Sequence, residues 1–229
     1  MTSVPRRARV RRTFLVALAG FAVTAGLLLG GYAAWLVWGT SPQPSQVEQA
    51  RTARVERELT HHPEVTHSAS SPPSQESSAE SSSDANAVMR IPALGDHWAY
   101  PVYNGTADQQ LGKGLGHYAG TAGPGQIGNY AVAGHRSSYS GFEPFAELPD
   151  LVKPGDKIIV TASTGRYTYT VTSTERVTPD SVQVLRPDQG RGANPKDRLI
   201  TLTTCTPRYG STGRFIVYGK LTSGGPPRT

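Results

Sequence analysis

The chain has 229 residues and a formal net charge of +6, and this length allows one or two domains. Residues 1–12 carry five arginines and no acid, whereas residues 41–86 are net acidic and residues 87–229 net basic. Because part of the basic excess lies in a short tail, no nucleic-acid partner is predicted. A single cysteine excludes an intramolecular disulfide and any multi-cysteine metal site.

An uncharged stretch covers residues 13–38, directly after the basic tail. About 20 apolar residues cross the hydrocarbon core of a bilayer, so this stretch is long enough to span one. The positive-inside rule then places residues 1–12 in the cytoplasm and the rest of the chain outside the plasma membrane. The sequence predicts a single-pass signal-anchor helix.

Two export signals compete with this interpretation. A cleaved signal peptide normally has an apolar region of only about 7–15 residues. A twin-arginine signal is the other alternative, because Arg11 and Arg12 precede the apolar stretch. The length of the stretch favours an uncleaved anchor, in which the two arginines help to set the topology.

Residues 39–86 are predicted to be a disordered linker. From residue 68 to residue 86, nine of nineteen residues are serine, and this composition buries too little apolar area to offset the entropy of ordering. Within the linker, residues 47–59 are compatible with a short helix beside the membrane. His61, His62 and His67 are interpreted as solvated, because a disordered segment would hold no metal geometry.

Residues 87–223 carry the signals of one folded domain, followed by a tail over residues 224–229. Its β-branched and aromatic runs are separated by Gly and Pro turns, and a helical turn is expected over residues 142–148. The predicted strands cover residues 88–91, 129–133, 157–162, 166–176, 199–205 and 214–221. This pattern favours a mainly β barrel or sandwich.

Three residue types suited to nucleophilic catalysis lie at the ends of predicted strands. Cys205 ends one strand and Arg214 begins the next, so hairpin pairing would make them neighbours at one rim. His135 directly follows the strand over residues 129–133. A thiolate is a nucleophile, an imidazole can exchange its proton, and a guanidinium can stabilise an anion on an attacked carbonyl.

The residues alone leave each role open. A lone cysteine such as Cys205 is more often a small buried hydrophobe than a nucleophile. His97 and His117 are competitors for the role of the base. Arg208 is a competitor for the role of the cation, because it also lies just beyond the cysteine.

The sequence TLTTCTP around Cys205, followed by RFIVYG from Arg214, resembles the active-site strand pair of sortases. AGHR around His135 resembles their histidine segment, and RIPALG near the start of the domain resembles their opening strand. The resemblance covers about residues 87–223, and an N-terminal anchor with a polar linker is also usual for sortases. TLTTCTP with HYAGTA upstream is most similar to class E, the actinobacterial housekeeping type.

The resemblance implies an eight-stranded sortase β-barrel and a cysteine transpeptidase without a cofactor. Cys205 is expected to cleave the LAxTG- or LPxTG-type sorting signal of a surface protein between Thr and Gly. The resulting thioacyl intermediate is expected to pass to an amine of the peptidoglycan precursor lipid II. His135 is implied as the acid and base, and Arg214 as the group that holds the substrate or the oxyanion.

The resemblance also implies that Tyr118, Thr203 and Thr204 bind substrate. Tyr118 lies 17 positions before His135, where class E members carry a tyrosine linked to a preference for LAxTG. An ordinary aromatic residue in a Gly-rich loop is the alternative interpretation of Tyr118.

Residues 177–197 are expected to form one wall of the substrate groove, since the stretch is long. Class A sortases can bind calcium at this point of the chain. Here Asp180, Asp188 and Asp197 are spread among Arg and Pro, so no metal is predicted.

Three other functions stay open at this stage. The chain could be a different cysteine transpeptidase that acts on peptidoglycan stem peptides, or a pilin-polymerising sortase that uses a lysine of another subunit. It could also be a non-catalytic, wall-binding β-barrel, in which case Cys205 would be buried and inert.

Overall fold

The computed structural model describes Thr24 and residues 26–28, 44–60, 85–192, 194 and 196–225. The chain divides into two compact units, Met1–Pro42 and Gln43–Thr229. In the first unit, Thr24 and residues 26–28 are helical. The rest of the predicted anchor, the three linker histidines and residues 226–229 of the tail lie outside the described residues. Within the described ranges, no helix is both long enough and apolar enough to cross a membrane.

The described part of the second unit consists of eight strands and a few short helices. The strands are β1 Ala85–Arg90, β2 Ala99–Asn104, β3 Leu115–His117, β4 Gly128–Ala133, β5 Lys157–Ala162, β6 Gly165–Val177, β7 Arg198–Thr206 and β8 Gly213–Gly225. The helices are α1 Gln46–Thr60, α2 Asp108–Leu111 and α3 Leu148–Leu151, with 3₁₀ turns at Pro92–Leu94 and Val182–Leu185.

The strands form a closed barrel in the order β1-β2-β3-β4-β7-β8-β6-β5, which the pairing of β1 with β5 completes. This confirms the predicted eight-stranded barrel. The sheet is mixed, because β2 pairs parallel with β3, and β4 pairs parallel with β7. Closure leaves no long strand edge open to pairing with another chain.

The sequence located six of the eight strands. β5 has the predicted bounds, and β6 and β7 each extend one residue beyond both predicted ends. β2 and β3 were missed because Pro101 interrupts β2 and removes a ladder donor, while β3 has only three residues. The helical turn expected over residues 142–148 was placed too early, since α3 begins at Leu148.

The barrel interior contains one hydrophobic core, and this core orients the strands that carry the site. Leu202 of β7 and Val217 of β8 are fully buried in it, as is Val132 of β4. Because successive side chains of a strand point to opposite faces, the residues between these positions lie on the outside of the barrel. We call the exterior of β4, β7 and β8 the outer face.

Residues 46–60 form α1, which agrees with the short helix considered over residues 47–59, but α1 packs against β1 and β2, so this part of the linker is not disordered. Val55 is buried and packs with Val88 and Ala99. The hydroxyl of Thr52, also buried, donates to the carbonyl of Ala99 at 3.2 Å. The composition of the linker suggested disorder, but a narrow buried stripe is enough to dock a helix whose mean hydropathy is low.

Candidate active site

Cys205 and Arg214 face each other across the antiparallel pair β7 and β8, where they are direct register partners. Opposed residues in such a pair have Cβ atoms about 4.5–5.5 Å apart. Both side chains are half-buried. The register therefore brings a thiol and a guanidinium together at one rim of the barrel, within reach of solvent.

His135 follows the end of the neighbouring strand, at the same rim. β4 and β7 are parallel, and their last register pair joins Ala133 with Thr203. β4 ends there, and His135 follows Ala133 by two positions, as Cys205 follows Thr203. The carbonyl of His135 accepts a hydrogen bond of 2.9 Å from the backbone N–H of Phe145, whose ring is fully buried in the core. The histidine segment is thus held to the barrel.

The alternation of the strands directs these residues to one side. Leu202 points into the core, so Cys205, three residues later, belongs to the outer face. On β8, Val217 points inward and Arg214 belongs to the outer face by the same count. His135 lies beyond the end of β4, so alternation does not set its direction, but the ends of β4 and β7 and the start of β8 bring a nucleophile, an acid–base group and a cation to one rim.

The structure separates the two candidate arginines. Arg208 forms ion pairs of 2.9 Å with Glu143 and 2.9 Å with Glu147, so its charge is already neutralised. Arg214 donates from Nη1 to two backbone carbonyls, those of Ser211 at 3.1 Å and Gly213 at 3.0 Å. Among the described residues no carboxylate pairs with Arg214, so its charge is available to an anion beside Cys205.

The three predicted substrate-binding residues have different surroundings. Tyr118 is half-buried, and its hydroxyl shares a hydrogen bond of 3.0 Å with that of Thr203, on the outer face of β7. Thr204 points the other way, and its buried hydroxyl donates to the carbonyl of Gly134 at 2.8 Å. The hydroxyls of Thr203 and Thr204 are both buried and both have partners within the fold, so Tyr118 is the one of the three whose side chain is partly exposed.

This constellation on a closed eight-stranded barrel agrees with the comparison to known families, in which the sortase domain matches residues 89–222. The chain belongs to the sortase family. Its relatives make it most like class E.

Among the relatives, Sortase SrtE1 of Streptomyces coelicolor is 38% identical over 144 residues, which is 59% of this chain and 40% of that protein. This match thus spans less than half the length of SrtE1. Sortase D of Bacillus subtilis is 28% identical over 87% of this chain and 95% of its own.

Solved structures show the same likeness. Sortase E from Streptomyces avermitilis has 42% identity and a TM-score of 0.56, over 62% of this chain and 91% of its own. Sortase E1 from Streptomyces coelicolor, determined with a tripeptide in the active site, has 32% identity and a TM-score of 0.56. That match covers 65% of this chain and 94% of the Streptomyces chain.

The segment between β6 and β7 covers the other end of the outer face in this sortase. Thr201 of β7 donates to Oδ1 of Asn129 at 2.9 Å, and Gln189 donates to the hydroxyl of Thr201 at 3.1 Å. Asn129 in turn donates to the carbonyl of Val184 at 3.0 Å. All these side chains are buried. The segment is therefore fastened to the sheet, which suits the wall predicted over residues 177–197.

The two competing histidines lie elsewhere in the fold. His97 is exposed in the loop before β2. His117 ends β3, where Nδ1 lies 3.1 Å from the amide nitrogen of Asn86 and Nε2 lies 3.1 Å from the carbonyl oxygen of Ala122. Burial lowers the pKa of His117, and hydrogen bonds to Ala122 and Thr121 offset part of this effect. A neutral ring that donates from Nε2 and accepts at Nδ1 satisfies both contacts.

Sequence reasoning missed two buried polar residues near the rim and its wall. Gln189 was not singled out, although its backbone has a positive φ of 60° and its side chain anchors the wall. Arg136, directly after His135, was read only as part of a motif, yet its guanidinium is almost wholly buried. An arginine beside a candidate catalytic histidine was the one signal available for Arg136.

No group of three His, Cys, Asp or Glu side chains comes together as a metal site within the described ranges. The absence of a metal stays a prediction.

Proposed function

We propose that this sortase is a membrane-anchored, class E type enzyme that cleaves LAxTG- or LPxTG-type sorting signals between Thr and Gly. It then joins the surface protein to an amine of a peptidoglycan precursor, lipid II. One observation carries the proposal: the strand register sets Cys205 opposite Arg214 and brings the end of β4, which His135 follows, to the same rim.

In the first step, the thiolate of Cys205 attacks the carbonyl carbon of the signal's threonine. The tetrahedral intermediate carries its negative charge on the former carbonyl oxygen, beside the guanidinium of Arg214. When the C–N bond to glycine breaks, the leaving nitrogen takes a proton from the His135 imidazolium. The product is a thioester between Cys205 and the surface protein.

In the second step, the acceptor amine attacks the thioester carbon and gives a proton to the neutral imidazole of His135. The C–S bond breaks, an amide forms, and Cys205 is released as a thiolate. The acid and base roles of His135 thus alternate, and the enzyme returns to its starting protonation state.

The class of substrate is supported by the relatives and by the position of Tyr118. The identity to sortase E of Streptomyces avermitilis, 42%, is higher than the identity to Sortase D of Bacillus subtilis, 28%. Tyr118 is half-buried and hydrogen-bonded to Thr203, which lies two residues before Cys205 on β7. We assign to them contact with the signal's residues before threonine, and we assign to residues 13–38 the anchor that holds the domain outside the plasma membrane.

The test uses the full-length chain, purified in detergent, beside its Cys205→Ala variant. Each is incubated with an LAETG peptide, an LPETG peptide and triglycine, and the products are read by mass spectrometry. Cleavage between Thr and Gly with transfer to triglycine, lost in the variant, is the expected result, and the ratio of the two peptides tests the class E preference.

Other outcomes identify the alternatives. Transfer to a lysine-bearing pilin peptide in preference to triglycine would indicate a pilin-polymerising enzyme. No cleavage of either peptide, together with slow alkylation of Cys205 by iodoacetamide, would indicate a non-catalytic barrel. The anchor is tested separately by protease treatment of intact cells, which should degrade the catalytic domain and spare an N-terminal tag.

A further inference from the structure

The hydrogen-bonded ladder between β4 and β7 ends before it reaches the proposed catalytic pair. The backbone N–H of Gly134 donates to the carbonyl of Thr203 at 3.2 Å. Beyond this contact, no hydrogen bond between two backbone groups joins the segments in the described part of the chain, although the backbone N–H of Tyr209 donates to the hydroxyl of Ser137 at 3.2 Å. His135 and Cys205 each follow that last contact, so the ladder alone does not fix the distance between them.

Two side-chain bridges bracket the pair instead. Before it, the hydroxyl of Thr204 donates to the carbonyl of Gly134 at 2.8 Å. After it, Nη1 of Arg136 donates to the hydroxyl oxygen of Thr206 at 3.2 Å. Arg136 directly follows His135, and Thr206 directly follows Cys205, so the second bridge joins the two strands one residue beyond the pair.

Arg136 is itself fixed from two further directions. Its Nε donates to the carbonyl of Ala146 at 3.3 Å, and its Nη2 donates to the carboxylate of Asp150 at 3.1 Å. The side chain of Arg136 is only 9% exposed. A buried guanidinium that gives up one of these partners leaves a polar group unpaired, so the bridge to Thr206 is costly to break.

We propose that Arg136 is a positioning residue that sets the separation of His135 and Cys205 through its bond to Thr206. This proposal rests on the proposed function and adds a residue that does not touch substrate. The planar fork of arginine reaches three acceptors at once, which the single ammonium of lysine cannot copy. The rate of the chemical step depends steeply on this separation, since a displacement of about 1 Å can cost about 100-fold.

The test compares four variants with the wild-type chain: Arg136→Lys, Thr206→Val, Thr206→Ser and Thr52→Val. The valine removes the acceptor of the bridge at nearly constant volume, and the serine keeps it. Thr52→Val is the matched control, because it removes another buried threonine hydroxyl in α1, which packs against β1 and β2. The rate of thioacyl formation on the preferred peptide is measured in a single turnover, with KM and the thermal midpoint measured alongside.

We expect Arg136→Lys to lower the rate of thioacyl formation about 100-fold and Thr206→Val about tenfold, with KM nearly unchanged. Thr206→Ser and Thr52→Val should keep the wild-type rate. Wild-type rates in both bridge variants would overturn the inference, as would an equal loss in Thr52→Val or a change confined to KM. A wild-type chain that forms no thioacyl enzyme would overturn the proposed function and this inference together.

Discussion

The two ends of β7 share one face of one strand but differ in what covers them. Around Thr201, the segment between β6 and β7 packs on the sheet. Buried hydrogen bonds there join the side chains of Thr201, Asn129 and Gln189. Around Cys205, four residues further on, nothing in the described part of the chain covers the face to the same extent, and the side chain is half-exposed. The end of β7 that carries Cys205 is therefore the end that the segment between β6 and β7 leaves accessible to solvent.

This difference shows how one strand serves two purposes. At the covered end, buried polar groups must be paired within the protein, and the pairing fastens the wall. At the open end, the partners of Arg214 among the described residues are backbone carbonyls, so Arg214 keeps its charge for a ligand. The polar groups of the first end stabilise the fold, and those of the second are available for chemistry.

The largest effect is expected at the open end. Arg214→Lys should lower kcat/KM on the sorting-signal peptide about 100-fold, because an ammonium does not reproduce the guanidinium fork beside the oxyanion. Arg208→Lys is the matched control and should cost less than about tenfold, since Arg208 is held in partly exposed ion pairs. Equal losses in the two variants would contradict the separation of their roles.

A substitution at the covered end should lower the stability of the fold and leave the rate of the reaction almost unchanged. Thr201→Val should lower the free energy of unfolding by about 1–3 kcal/mol, because it leaves buried partners of the hydroxyl unsatisfied. Urea unfolding measures this, with Thr172→Val, at an exposed position of β6, as a control that should change little. A Thr201→Val chain as stable as the wild type would show that the wall is not fastened there.

The stability of the fold should depend on pH through His117, at the end of β3. Burial lowers its pKa below the ordinary 6.5, so below that pH the folded chain binds fewer protons than the unfolded chain. The contribution of His117 to the free energy of unfolding is therefore most favourable above pH 6.5. It becomes less favourable as the pH falls from 6.5 through the lowered pKa of the folded state. Urea unfolding between about pH 5 and 8 should show this slope, and His117→Gln should reduce it. An identical slope in the variant would exclude His117 as the source.

The smallest effect is expected at the boundary between the two ends, where Tyr118 meets Thr203. Tyr118→Phe should raise KM for the LAETG peptide about threefold and leave kcat nearly unchanged, as one neutral hydrogen bond is lost. Tyr139→Phe, at a fully exposed tyrosine, should alter neither constant. A fall in kcat without a change in KM would show that Tyr118 contributes to the chemical step and not to binding of the peptide.

Much of the barrel and the site could be predicted from local patterns. Alternating β-branched residues located β5, β6 and β7 because each presents one face to the core. The hairpin of β7 and β8 is a local pairing, so the meeting of Cys205 with Arg214 followed from short-range reasoning. β2 was missed because Pro101 contradicts the strand pattern locally, although pairing with β1 on one side and β3 on the other maintains it.

The sequence by itself determined which chemical groups are present, that the domain is mainly β, and that a thiol and a guanidinium meet at one rim. Only the tertiary structure decided that β4 lies parallel beside β7, which brings His135 to the rim that carries Cys205, 70 positions further along the chain. The tertiary structure also decided that carboxylates pair with Arg208 and, among the described residues, not with Arg214. It decided as well that α1 packs against β1 and β2. These outcomes depend on contacts between distant segments, and no local pattern records which distant segment will supply the partner.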